Sequence, residues 1–331
     1  MLDTEGKTLT ILKILRNSPK PLGSRVIADR LKNYGIDIGE RAVRYHLKLM
    51  DERELTQSTG RGGRMITDVG IEELKSTLVR NKVGFATSRI DQIACSASFD
   101  LDKRTGSIPI NISFFPKEEF SKALKVMGPV CEAGFCVSDM VLVANEGETI
   151  GEFVVPEGKV ALATVSTAMI NSALLKSGIP CVSRFSGILQ IRKRQPLRFI
   201  DLIYFSGCSL NPSELFIRAK MTSVTQAVKT GKGKILCSFR EIPSVSHSTV
   251  EEVIDKLKEA RLGGILLLGN ANESVCEIPP DLNQTGMVIC AGLNPVAAAE
   301  EAGIETENYA VNSVMEYQRL RKLSEIENNK S

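Results

Sequence analysis

The chain has 331 residues, of which 42 are Lys or Arg, 39 are Asp or Glu, and 43% are apolar. These proportions exclude a disordered or collagen-like chain, and the length predicts about two domains at roughly 150 residues each. The sequence shows no apolar run of about 18 residues and no signal-peptide pattern, so we expect a cytoplasmic protein without a membrane partner. Eight cysteines in such a chain are expected to be reduced.

Charge is unevenly distributed along the chain. Residues 1–82 carry 16 cations and 11 anions, a net charge of +5, whereas residues 83–331 carry 26 and 28, a net charge of −2. This asymmetry predicts a domain boundary near residue 82. A small basic domain followed by a larger, nearly neutral one is typical of a nucleic-acid reader with a separate sensor, although a solvated surface has the same charge balance.

The first 53 residues show three helical patterns. An apolar stripe runs through residues 8–17, and Pro19 and Pro21 stop it. A second helix is expected from Ser24, with a core-facing stripe of Val26, Ile27, Leu31 and Tyr34. In the third, Val43, Leu47 and Met50 follow the spacing of a buried face. The opposite face carries the candidate DNA-reading residues Arg41, Arg44, Tyr45 and Lys48.

A hairpin and a further helix complete this domain. LTQS and RMIT read as two short strands around residues 59–64, where three glycines allow a tight turn that presents Arg61 and Arg64. A closing helix is predicted after Thr67. This order is that of a winged helix-turn-helix domain, in which one helix enters the major groove and a basic wing contacts the backbone beside it. Each feature alone also fits an ordinary solvated surface.

Strands and helices alternate after residue 107, which predicts an α/β domain. Residues 138–179 align without a gap on residues 263–304 at an offset of 125, with Gly178 and Ile179 falling on Gly303 and Ile304. We interpret this as an internal duplication of related halves whose cleft is a natural ligand site. The overall class is α/β (α+β when the whole chain is considered). Any two strand-loop-strand-helix units would share part of this pattern.

Catalytic and metal-binding motifs are missing from the second domain. GKGK at residues 231–234 lacks the phosphate-loop spacing, and only His46 and His247 are available as imidazoles. We therefore predict neither an enzyme nor a metal site. Binding of a carboxylate ligand is better supported than catalysis, because two predicted helices begin at small polar residues and expose their N–H groups. The same residues also fit ordinary helix capping and a surface charge. The candidate effector-binding residues are Arg184, Ser166, Thr167, Ser186 and Asn294, with Arg184 as the main cation; Ser88 and Arg89 are the alternative.

The segment GERAVRYHLKLMDERELTQSTGRGGRMITDVGIEEL, followed by LVRNKVGFATSRID, resembles the nitrogen regulatory repressors (NrpR) of methanogenic archaea. The resemblance extends over nearly the whole chain. It implies a transcriptional repressor that binds double-stranded operator DNA upstream of nitrogen-fixation and nitrogen-assimilation genes. It also implies release by 2-oxoglutarate, which acts as an effector and not as a cofactor. Members carry one or two effector domains, and this chain has room for one.

Specific reading of an operator favours a dimer or a higher homo-oligomer, since two winged helices related by a two-fold axis read a palindrome. A companion regulator chain or general transcription factors are further partners that the resemblance allows. Two alternatives remain from the residues alone. The chain could be an adaptor that does not bind DNA, or an enzyme module with a vestigial winged helix.

Overall fold

The structure is a computed structural model that describes residues 4–18, 20–32, 34–75, 85–151 and 153–330. The chain divides into two units, Met1–Lys82 and Val83–Ser331, and each is described by itself. Pro19 and residues 81–84, the first part of the predicted crossover, lie outside the described residues. Among the described helices, none is long and apolar enough to cross a membrane.

The first unit contains the elements of a winged helix-turn-helix. Its helices are α1 Thr4–Arg16, α2 Ser24–Lys32, α3 Glu40–Glu52 and α4 Asp68–Lys75, and its strands are β1 Thr56–Ser58 and β2 Arg64–Ile66. The two strands pair antiparallel, and an isolated bridge between Leu22 and Arg64 adds a third chain segment to the hairpin. The predicted winged-helix fold is therefore confirmed.

Apolar side chains of all three N-terminal helices form the core of this unit. Val43, Leu47 and Met50 are buried as predicted. The predicted stripe of α2 is partly wrong, because Val26 is 44% exposed and Tyr34 is 50% exposed, whereas Ala28 is buried. Helix α2 ends at Lys32, so Tyr34 lies beyond the helical register that would have turned it inward.

The second unit consists of helices and strands in alternation. Its helices are α5 Phe85–Ser96, α6 Phe120–Glu132, α7 Ala168–Lys176, α8 Pro212–Arg218, α9 Val224–Thr230, α10 His247–Glu259, α11 Asn294–Glu301 and α12 Leu323–Lys330. Its strands are β3 Ser107–Pro116, β4 Met140–Ala144, β5 Thr149–Ile150, β6 Phe153–Val154, β7 Lys159–Val165, β8 Val182–Arg192, β9 Gln195–Tyr204, β10 Lys232–Pro243, β11 Ile265–Ala271, β12 Gln284–Cys290, β13 Glu307–Glu316 and β14 Arg321–Lys322.

Two five-stranded sheets organise this unit. Their strand orders are β13-β3-β7-β4-β14 and β11-β12-β10-β8-β9, and the strand pairs within them are antiparallel. Helix α6 packs against α11, and α7 packs against α10. Both large apolar clusters contain residues of both sheets. The second unit therefore has a shared core, and its sheets cannot be treated as separate domains.

The internal duplication is visible in strand register as well as in element order. Ile110 on β3 faces Val165 on β7, and Cys237 on β10 faces Cys290 on β12. Ile110 and Cys237 are 127 residues apart in the sequence, and Val165 and Cys290 are 125 residues apart. The two halves therefore correspond, and the segment between the paired residues is two residues shorter in the second half. Apart from the insertions β5 and β6 in the first half and α9 in the second, the series α5-β3-α6-β4-β7-α7-β8 is repeated by α8-β10-α10-β11-β12-α11-β13. The repeat thus extends on both sides of the 42 positions aligned by sequence.

The two halves exchange their last strands. Strand β8 of the first half pairs with β10 of the second, and β13 of the second half pairs with β3 of the first. Each sheet therefore contains three strands of one half and two of the other, which are β13 and β14 in the first sheet and β8 and β9 in the second. This arrangement brings the ends of β7 and β12 together with inner residues of β8 and β13, and the cavity described next lies between them.

Candidate nucleic-acid face and ligand cavity

Helix α3 presents one buried and one exposed face. The candidate residues Arg41, Arg44, Tyr45 and Lys48 are all exposed, and Tyr45 is 62% exposed. Arg44 forms an ion pair with Glu40, and its Nε donates to Ser24 Oγ at 3.2 Å. The Arg44 guanidinium also holds the pKa of the Glu40 carboxyl below its usual value. This pair is exposed, so it contributes little stability and can be exchanged for a phosphate or base contact.

Of the two arginines predicted on the wing, only Arg64 has a side chain that the structure describes. Arg64 Nε donates to Asp51 Oδ2 at 2.7 Å, and both side chains are less than one-third exposed. Thr56 Oγ1 donates to Asp51 Oδ1 at 2.6 Å. Arg64 therefore joins β2 to the end of α3 and does not extend freely from the wing tip. The side chain of Arg61 lies outside the described part of the chain.

Three of the five predicted effector residues line a small cavity in the second unit. Ser166, Thr167 and Ser186 line it. The other lining residues are Ile90, Asn111, Phe205, Asn211, Ser213, Ser238, Ala291, Gly292, Leu293, Ala310 and Val311. About 20 Å³ is open to the centres of water-sized spheres, and one water needs about 10–15 Å³ by this measure. The cavity as it stands has room for water but not for a dicarboxylate.

Equivalent positions of the two halves meet at this cavity. Ser166 corresponds to Ala291, Thr167 to Gly292 and Ser186 to Val311, all at the 125-residue offset, and all six residues line the cavity. Asn111 and Ser238, related by the 127-residue offset, also line it. The cavity therefore lies between the two halves, where equivalent residues of both halves meet, as predicted for a duplicated domain. The first half contributes more polar groups to it than the second half does.

Helix α11 begins at this cavity, but its first side chain is engaged elsewhere. Asn294 is fully buried, accepts a hydrogen bond from Leu236 N and donates one to Leu236 O, both at 2.8 Å. Its amide therefore replaces a strand partner for β10 and is not available to a ligand. Just before the helix, a Cβ on Gly292 would lie 1.9 Å from Val165 O, so the two halves approach too closely there for any side chain.

Arg184 does not line the cavity, in contrast to the sequence-based prediction. Its guanidinium forms ion pairs with Glu241, at 3.2 Å, and with Asp281. These carboxylates raise the pKa of Arg184 despite its partial burial. Glu241 reaches Arg184 across the β8–β10 pairing, a neighbour that the sequence alone does not reveal. The alternative cation, Arg89, donates to the backbone carbonyls of Val311 and Asn312.

Arg240, a cation that lies behind the wall of the cavity, was not among the predicted effector residues. Arg240 is fully buried on β10. Its Nε donates to Asn171 Oδ1 at 3.0 Å and its Nη2 to Thr167 Oγ1 at 3.3 Å. The guanidinium carbon lies 5.4 Å from the ring centre of Phe205. Thr167 and Phe205 both line the cavity, so the cation is one side chain away from the enclosed space.

The hydrogen-bonding capacity of this region is not filled by the protein. Arg240 Nη1 and Ser238 Oγ are buried and have no hydrogen-bond partner within the described residues. Burial lowers the pKa of Arg240 to about 10, which still leaves it charged at neutral pH. Burial also raises the pKa of Asp91, and the charge of Arg240 opposes that shift. The sequence signal for Arg240 was a pair of charged residues, Arg240 and Glu241, between the apolar residues Phe239 and Ile242 of a predicted strand.

The family comparisons match both units. The model of the NrpR regulatory domains NRD1 and 2 matches residues 83–322, and the model of the Ribonuclease R winged-helix domain matches residues 9–74. The crystal structure of a nitrogen repressor-like protein from Methanococcus jannaschii superposes with a TM-score of 0.61 and 25% identity. That match covers 72% of this chain and 98% of the other.

Three curated relatives match nearly the full chain. The global nitrogen regulator NrpRI of Methanosarcina mazei is 36% identical over 319 residues, which cover 96% of this chain and 98% of the relative. The NrpR proteins of Methanococcus maripaludis and Methanocaldococcus jannaschii are each 30% identical over 94% and 98% of this chain. The chain spans only 54% and 56% of those two relatives.

The winged helix and the duplicated α/β unit together define a winged-helix regulatory protein. The second unit matches the NrpR regulatory domains, and the relatives are named as regulators, not as enzymes. The chain belongs to the NrpR family of nitrogen regulators, as the resemblance of its sequence implied.

Proposed function

We propose that this nitrogen regulator is a transcriptional repressor of nitrogen-fixation and nitrogen-assimilation genes that releases operator DNA when 2-oxoglutarate binds its second unit. The observation that carries the proposal is the unpartnered Nη1 of Arg240 beside a cavity lined by hydroxyl groups. A buried donor without a partner costs free energy, and a ligand carboxylate would supply the missing acceptor.

Operator binding is assigned to the exposed face of α3. A helix of this kind fits the major groove, where arginines recognise guanine and a tyrosine can contact sugar or phosphate. Arg41, Arg44, Tyr45 and Lys48 are the proposed contacts, and Arg61 is the proposed wing contact. Arg64 is left out of the direct contacts because its guanidinium is bonded to Asp51.

Effector binding is assigned to the cavity between the halves. Arg240 and Ser238 would receive one carboxylate, and the hydroxyl groups of Ser166 and Thr167 would bind the other polar atoms of the ligand. The cavity must widen to admit the ligand. Ligand binding therefore favours a more open arrangement of the halves over the closed one described here.

Release of DNA follows from linkage between the two binding events. If 2-oxoglutarate prefers an arrangement that binds the operator weakly, operator affinity falls by the same factor by which the operator weakens 2-oxoglutarate binding. Such factors are typically about 5 to 150, or about 1 to 3 kcal/mol. An effector that bound both arrangements equally well would leave the operator affinity unchanged.

We also propose that the active form is a homodimer or a higher homo-oligomer, because a single winged helix reads few base pairs. Its operator would contain two half-sites on one face of the duplex, about one helical turn or a multiple apart. Light scattering at micromolar concentration would test this, and a strictly monomeric protein with full operator affinity would contradict it. A companion regulator or a general transcription factor remains a proposed further partner.

One titration tests the central proposal. Operator binding by the full chain is measured by gel shift with and without 2-oxoglutarate, and succinate serves as a dicarboxylate control without the keto group. Loss of the complex with 2-oxoglutarate alone supports an effector-controlled repressor. Unchanged operator binding at saturating 2-oxoglutarate would remove the effector role, and no operator binding at all would favour the adaptor function.

A further inference from the structure

A cluster of exposed cations surrounds the turn between β8 and β9, within a unit whose overall charge is slightly negative. We call this surface the hairpin patch. It consists of Arg192, Lys193, Arg194, Arg198, Lys232 and Lys234. Lys232 lies directly opposite Arg192 in the β8–β10 register, and Arg194 N donates to Gly231 O. The strand pairing and the turn therefore hold these six cations close together.

The hairpin patch has few counter-charges in the described part of the chain. Arg198 reaches Glu277 at 4.0 Å, and the other five cations form no ion pair with a described carboxylate. Like charges placed opposite each other on paired strands lower stability. The cost is not offset within the described part of the protein, which is the pattern expected where an anionic partner binds.

The two residues of the turn are also charged, although other residue types would make the turn more stable. Lys193 and Arg194 both have a positive φ, at 54° and 62°. Two-residue hairpin turns with this geometry favour Asn and Gly, which adopt it with least strain. Two long, exposed cations occupy the positions instead.

A groove beside the turn indicates the kind of partner. It is lined by Gln190, Ile191, Arg192, Leu197, Arg198, Ser223, Gln226, Lys232, Gly233 and Lys234. Arginine, lysine, hydroxyl and amide groups are the donors that contact phosphate and sugar in protein–DNA interfaces. Protein–protein interfaces centre on buried aromatic or large apolar anchors, and this groove offers only Leu197 and Ile191, the latter buried.

We infer that the hairpin patch binds the phosphate backbone of double-stranded DNA, as a second contact of the regulator that does not read sequence. The inference extends the proposed function, because it adds a DNA contact on the unit that carries the effector cavity. Since the patch would neutralise phosphates without touching base edges, its contribution would be independent of the operator sequence and strongly dependent on salt.

The test uses the full chain and a variant that improves the turn while removing two charges, Lys193→Asn with Arg194→Gly. Binding to a non-operator duplex is measured by fluorescence anisotropy at several salt concentrations. The slope of log affinity against log salt should fall by about 1.8, since each lost phosphate contact contributes about 0.9. Thermal stability should be equal or higher, because Asn and Gly suit the turn.

The matched control removes two cations elsewhere in the same unit, Lys256→Gln with Lys258→Gln. These lysines pair with Asp102 and Asp255, both outside the hairpin patch. The control should leave the salt slope unchanged. An unchanged slope in the turn variant, or an equal loss in both variants, would overturn the hairpin patch as a DNA contact.

The proposed operator role is read separately, as the ratio of affinities for operator and non-operator duplexes. That ratio should be the same in the turn variant and the wild type. A wild-type ratio near one with a reduced slope in the turn variant would contradict operator reading and leave the hairpin patch intact. A large wild-type ratio with an unchanged slope in the turn variant would support operator reading and contradict the hairpin patch as a DNA contact.

Discussion

Ser186 and Val311 occupy equivalent positions in the two halves of the second unit and line the same cavity from its two sides. Ser186 Oγ is within hydrogen-bond distance of Ser213 Oγ, at 3.1 Å, and donates to Cys237 O at 3.2 Å, whereas Val311 offers only methyl groups. The duplication has therefore produced a symmetric enclosure with an asymmetric lining. A ligand with different groups at its two ends can bind such a site in one orientation only.

Arg240→Gln should weaken 2-oxoglutarate binding by about 2 kcal/mol or more, roughly 30-fold, because a desolvated carboxylate would lose its cation. Isothermal titration calorimetry on the folded variant measures this. Arg184→Gln is the matched control, because Arg184 is engaged by Glu241 and Asp281, and it should keep wild-type affinity. Ser238→Ala is a smaller change at the same wall and should also weaken binding. Wild-type affinity in Arg240→Gln and Ser238→Ala would place the ligand elsewhere.

Arg41→Ala should lower operator affinity by about 1 to 3 kcal/mol and relax the preference for operator sequence. Arg41 is exposed on α3 and pairs with no described carboxylate, so it is available to bases without breaking a contact. Arg44→Ala should act in the same direction, with a smaller loss because Arg44 must first leave Glu40. Competition between operator and non-operator duplexes gives the ratio. An unchanged ratio in Arg41→Ala would exclude this residue from base reading.

Arg64→Ala should destabilise the winged-helix unit by about 1 kcal/mol, because it removes the partner of Asp51 at a site less than one-third exposed. Arg61→Ala should leave stability unchanged and reduce the salt slope of DNA binding by about one phosphate contact. Denaturant unfolding and salt titration separate the two effects. A normal salt slope in Arg61→Ala would remove the wing from the DNA interface.

Stability of the winged-helix unit should fall as the pH drops below about 6.5. His46 is 8% exposed, and burial lowers its pKa, with a smaller contribution from Lys7. The unfolded chain, with a His pKa near 6.5, then binds the proton before the folded unit does, so protonation favours unfolding. Hydrogen exchange of α3 amides at pH 7.5 and 5.5, corrected for intrinsic rates, measures the change. His46→Leu should reduce this loss, and His247→Gln should not.

Local sequence patterns were sufficient for the winged helix, and much of the duplicated unit followed from its repeat. Val43, Leu47 and Met50 lie on the same face of one helix, so the spacing within that helix was enough to predict their burial. Val26 lies in the first turn of α2, beside the buried face formed by Ile27, Ala28 and Leu31. Tyr34 was misplaced because α2 ends at Lys32, so its position depends on how the chain continues after the helix. Periodicity does not contain that information.

The cavity was only partly predictable. Ser166 and Thr167 precede a helix, which sequence reveals, and their meeting with Ser186 was expected from proximity in the chain. The position of Arg184 was not predictable, because it depends on strand pairing between the halves. Arg184 forms an ion pair with Glu241 across that pairing, whereas Arg240 donates a hydrogen bond to Asn171 on α7. Choosing between two arginines on neighbouring strands therefore required their register.

The exchange of β8 and β13 makes the connection between the halves dispensable for holding them together. Residues 208–211 join the first half to the second, and Leu210 in this segment is 52% exposed. A single cleavage there would leave β8 hydrogen-bonded to β10 and β13 to β3. The nicked protein would migrate as two fragments in denaturing gels yet elute as one species under native conditions, and neither fragment alone would contain a complete sheet.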